Sequence, residues 1–112
     1  MELESLNKTL NTTLNAEVYQ KIVEQTEKDF VMSGIQYDFS DLGPQELLNS
    51  LYEIVEELLS KEYAILLNLL YRMDIPESSI RDNNSEDIQQ QLVELILKRE
   101  FLKVQTRMKY SQ

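Results

Sequence analysis

Glu24 and Glu27, and again Glu53 and Glu56, stand three residues apart, the spacing that puts two carboxylates on one face of a helix. Two such pairs on facing helices could hold magnesium for hydrolysis of a nucleotide, because that ion takes oxygen ligands and carboxylates supply them. The same spacing recurs at Asp38/Asp41 and Asp74/Glu77, while 20 acidic residues among 112 produce about three such pairs by chance, so the pattern carries little information. Helix phase weighs against it further. Glu53 and Glu56 lie opposite a leucine stripe and should face water, and Glu24 is placed to pair with Lys28. Solvated helix faces are the expected reading of these acids, and no catalytic residue, metal or cofactor is expected.

The chain holds no histidine and no cysteine, which removes the usual acid–base groups, soft metal ligands and thiol nucleophiles. Serine and threonine have no histidine base, Glu-x-x-His di-iron sites are excluded, and Gly34 and Gly43 are too few for a phosphate-cradling loop. Contact is the expected work of such a chain. The interaction candidates are Lys98, Arg99, Phe101, Lys103, Arg107, Met108 and Tyr110, from a C-terminal stretch in which residues 98–112 carry five basic side chains and one acidic. If this stretch projects, it would dock on an acidic protein or on a second copy. If it packs, its cations complement a helix C-terminus, and Arg99 and Lys103 meet acids of neighbouring helices; the packed reading is favoured.

The elements that must position these residues are helical. Acids stand four residues before a base at Glu4/Lys8, Glu17/Lys21, Glu24/Lys28, Glu57/Lys61, Glu77/Arg81 and Glu94/Lys98, an excess over the roughly two expected at random that marks helix surfaces. A helix is expected from Leu14 to Met32, with Leu14, Val18, Ile22, Val23 and Phe30 inward and Ser33-Gly34-Ile35 as its end. Residues 1–13 should form a short frayed helix. Residues 35–43 read as an extended connection with Tyr37 and Phe39 tucked in, and Pro44 opens a helix whose apolar positions are 47, 48, 51, 54, 55, 58 and 59.

A break is expected near Ser60, with Ser60 capping a third helix from Lys61 to Met73, since an unbroken helix from 44 to 73 would be about 45 Å long. The run Tyr63 to Tyr71 is apolar nearly all round, which predicts burial on every side, some of it against a second copy, and its Asn68 would then need an amide partner. Ser85 should cap a last helix to about Met108 with Ile88, Leu92, Leu95, Ile96 and Leu102 inward, leaving residues 109–112 as a tail.

Composition sets the class. Hydrophobic residues make up 42% and charged residues 28%, a balance that supports one folded domain over residues 1–112. A net charge of −9 disfavours nucleic acid and anionic membranes as partners. Met1-Glu2-Leu3-Glu4 lacks a basic lead and an apolar core, so the cytoplasm is the expected compartment. Lys28-Asp29-Phe30 with Ser33-Gly34-Ile35, and Leu69 to Ile75, resemble segments of short uncharacterised bacterial all-helical proteins. That resemblance implies a bacterial cytosolic origin and transfers no function or site. The expected fold is an all-α four-helix up-and-down bundle with a short extra N-terminal helix. Its expected role is that of a non-enzymatic protein–protein interaction or assembly module, a homodimer. The alternatives are the magnesium-dependent hydrolase using Glu24, Glu27, Glu53 and Glu56, and an acidic inhibitor that mimics nucleic acid through Glu53, Glu56, Glu57 and Glu62.

Overall fold

The computed structural model describes residues 16–78 and 88–110, and among these every regular element is a helix. They are α1 (Ala16–Met32), α2 (Pro44–Lys61), α3 (Tyr63–Arg72) and α4 (Ile88–Tyr110). The expected N-terminal helix over residues 1–13 and the Ser85 cap lie outside the described residues. α4 runs on to Tyr110, so positions 109 and 110 belong to the helix and not to a tail.

α2 forms where Pro44 supplies a first-turn residue that loses nothing by lacking an N–H, and Glu46 Oε1 accepts from the Gly43 backbone N–H at 3.3 Å. Its apolar stripe is buried as expected at Leu47, Leu48, Leu51, Ile54, Val55 and Leu58. The break that follows falls one or two residues later than expected. Glu62 leaves the helical region (φ −137, ψ 57), while its N–H still bonds to the Leu58 carbonyl and its own carbonyl accepts from Ile65 and Leu66, starting α3. Ser60 does not cap α3. Its hydroxyl bonds back to the Glu56 carbonyl at 2.8 Å, because a serine still inside a helix finds the carbonyl four residues earlier before any forward N–H.

α1 and α3 end in the same way. Ile35 N–H bonds to the Phe30 carbonyl and Gly34 N–H to that of Val31; Ile75 N–H bonds to the Leu70 carbonyl and Asp74 N–H to that of Tyr71. This is the Schellman arrangement, and it needs one left-handed residue. Gly34 fills that place in α1 (φ 93) and Asp74 in α3 (φ 59). The isoleucine that follows each turn is carried back onto the core.

Packing is shared among the four helices: α1 lies on α4 and α3, and α2 lies on α4 and α3. The connection between α1 and α2 completes the core, with Phe39 wholly buried edge-on to Phe30 at 5.4 Å. Tyr37 stays partly exposed, its hydroxyl donating to Ser50 Oγ at 3.1 Å. One expectation is corrected. Leu102, expected inward, is 47% exposed, because α4 turns Glu100 and Val104 to the core instead. In α3, Leu66, Leu69 and Leu70 are inside, while Tyr63, Asn68 and Tyr71 face outward from the described helices, leaving open the side for which the sequence expects a second copy.

Candidate functional site

Four polar residues interrupt the apolar contact between α1 and α4: Gln25, Thr26 and Asp29 from the first helix and Glu100 from the second, all buried. Residues 25, 26 and 29 share a face by helical spacing, and residues 96, 100, 103 and 107 share the facing one. Thr26 satisfies itself within its helix, donating to the Ile22 carbonyl at 2.7 Å. Asp29 accepts from Lys103 Nζ at 2.9 Å, and the Gln25 carboxamide accepts from the Arg107 guanidinium.

Glu100 decides the electrostatics of this cluster. Its side chain is fully buried, with Lys103 Nζ no nearer than 3.9 Å. Burial, together with the hydrogen bond and charge of Asp29, pushes its carboxyl up to about 9 against the opposing pull of Lys103 and Thr26. At neutral pH it therefore carries a proton and donates it to Asp29. Burial works to raise Asp29 as well, but the hydrogen bonds from Glu100, Lys103 and Gln25 and the charge of Lys103 outweigh it and hold Asp29 below the usual carboxylate range. One carboxylate, one carboxylic acid and one ammonium make a nearly neutral set, which is how two acids can share an interior.

Arg99 closes the other end of the basic stretch. Its Nε donates to the Met73 carbonyl at 2.9 Å and its Nη2 lies 3.5 Å from Asp74 Oδ2, so it ties off the end of α3. Lys103 and Arg99 thus meet acids on other parts of the chain, and Arg107 is drawn to Gln25. Of the remaining candidates, Lys98 is exposed and Phe101 and Met108 are half-buried; Tyr110 is the last residue of α4. Lys103 and Arg107 are thus held on α1, and Arg99 on the end of α3.

The acids that could have formed a metal site do other things. Glu27 accepts the Phe39 backbone N–H at 3.1 Å and so anchors the connection between α1 and α2. Glu24 lines a groove with Lys21, Lys28 and Arg107, whereas Glu53, with Glu57 and Glu62, lines a different one beside Gly34 and Tyr37. Among the described residues no three acidic side chains stand where they could hold a metal ion together. The four glutamates of the hydrolase reading are not brought to one place.

Sequence reasoning missed the burial of Glu100 against Asp29. Around Tyr71, which is 87% exposed, two shallow depressions meet, one lined by Met32, Asn68 and Arg72 and the other by Leu67, Ile75 and Pro76. Met32 is itself 54% exposed. Asn68 faces solvent here. No helix among the described residues is long and apolar enough to cross a membrane. Comparison with family models, with curated proteins and with solved structures finds no match.

Proposed function

We propose that this chain is a non-catalytic assembly module of the cytoplasm, an up-and-down bundle that pairs with a second copy of itself through the outer face of α3. The observation that carries the reading is Tyr71: a large ring left almost wholly in water between Met32, Leu67 and Pro76, on the most apolar of the described helices. Exposed aromatic residues with apolar neighbours are the usual anchors of protein contacts.

A second copy suits this face because the face is self-complementary in charge. Arg72 and Asp74 line the depression on one side of Tyr71 and Glu77 lines the one on the other side, so a two-fold axis near Tyr71 sets each Arg72 towards its partner's Glu77. The centre stays apolar and the rim polar, the common anatomy of an interface. Sedimentation equilibrium over a concentration series tests the pairing. The expected result is a monomer–dimer equilibrium for the native chain and a monomer for Tyr71→Glu, with unchanged circular dichroism because Tyr71 contributes nothing to the interior. A native chain that stays monomeric up to millimolar concentration, or a Tyr71→Glu variant that pairs as before, removes the proposal.

A further inference from the structure

Further along α1, Lys21, Glu24, Gln25 and Lys28 form one wall of a groove of about 350 Å³, and Val104, Arg107 and Met108 of α4 form the other. We infer that this groove is a binding site for a small phosphate monoester. Three cations and one carboxylate line it, a surplus of two positive charges in a chain whose total is −9, and a phosphate monoester is close to a dianion at neutral pH. Val104 is buried and Met108 half-buried, giving an apolar floor for the organic group, and Glu24 offers an acceptor for a hydroxyl on it. The volume lies in the range of small-ligand sites.

A second observation separates this groove from a chance meeting of surface lysines. Gln25 is buried and built into the cluster beneath: its amide N–H group donates to Asp29, which leaves its carbonyl oxygen turned outward to accept from Arg107. Asp29 is in turn held by Lys103 at 2.9 Å. The guanidinium is thus fixed at the groove by a chain of hydrogen bonds reaching into the core, and a planar guanidinium held in place is well suited to grip two phosphate oxygens. Lys21 and Lys28 stand seven residues apart on α1, about two turns, and flank it.

The test is a titration of the full ¹⁵N-labelled chain with inorganic phosphate, with phenyl phosphate and with sulfate at constant ionic strength, followed by amide chemical shifts. Saturable one-to-one shifts are expected in residues 21–28 and 104–108, tighter for phenyl phosphate than for inorganic phosphate because the ring covers Val104 and Met108. Arg107→Gln should weaken phenyl phosphate about tenfold or more, and Lys28→Ala severalfold, each with circular dichroism matching that of the native chain. No saturation at millimolar ligand, shifts spread evenly over all lysines, or undiminished binding by Arg107→Gln would each overturn the inference. So would a polyglutamate peptide that displaces phenyl phosphate at lower concentration, which would assign the groove to an acidic protein.

Discussion

Glu100 is the residue whose chemistry departs furthest from what its type suggests, and its proton links this fold to pH. Its carboxyl stands at about 9 in the folded chain against an ordinary 4.5, so between those values the folded state holds one more proton than the unfolded one. Stability tied to this group is therefore complete below about pH 4.5, declines as pH rises, and is gone above about pH 9. Asp29 acts in the opposite sense at the acid end: its carboxyl is lowered, so its contribution is present above the ordinary aspartate range and fades as pH falls through the folded value. Glu100→Gln keeps a donor for Asp29 and has no proton to lose. Urea unfolding at pH 8 should show it more stable than the native chain by about 1–3 kcal/mol, with the difference vanishing near pH 4.5. A variant equally unstable at both pH values would mean that Glu100 is ionised inside the fold.

Among the elements, the ends of α1 and α3 offer a controlled comparison, because the same pair of backbone hydrogen bonds closes each and only the left-handed residue differs. A side chain at Gly34 meets no neighbouring atom within 4 Å, so any cost of replacing it comes from the backbone alone. Gly34→Ala should lose about 1 kcal/mol in thermal or urea unfolding. Asp74→Gly should gain about 0.5–1 kcal/mol, since the relief at φ 59 exceeds what an exposed aspartate 3.5 Å from Arg99 contributes. If Asp74→Gly is destabilising, the Arg99 contact holds α3 more firmly than exposed ion pairs ordinarily do. The apolar stripe of α2 could be read from spacing because every position on it agreed. α4 could not be read in the same way, because a charged residue on its inner face looks, in one dimension, like a residue on its outer face.

For the whole molecule, charge and apolar surface act against each other in the proposed pairing. Two copies bring together chains of −9 each, and this long-range repulsion is screened by salt more than the short contacts around Tyr71 are. Dimerisation should therefore tighten as sodium chloride rises from low to physiological levels, measured by sedimentation; pairing that weakens instead would mean that rim ion pairs such as Arg72 to the partner's Glu77 dominate. The groove at Arg107 should show the reverse dependence, since salt screens a dianion from its cations. One ionic-strength series thus separates the two surfaces.

Helix content, the turn after Met32, the opening of α2 at Pro44 and the need for a break before Tyr63 all follow from local preferences, which act over a few residues and can be read along the chain. The burial of Glu100 against Asp29, the drawing of Arg107 onto Gln25 and the bareness of Tyr71 depend on which faces meet. A helix records in its own sequence only that a face exists. Whether a charged position on that face is solvated, paired or protonated is decided by the residues opposite, and those are supplied by a segment seventy or more positions away.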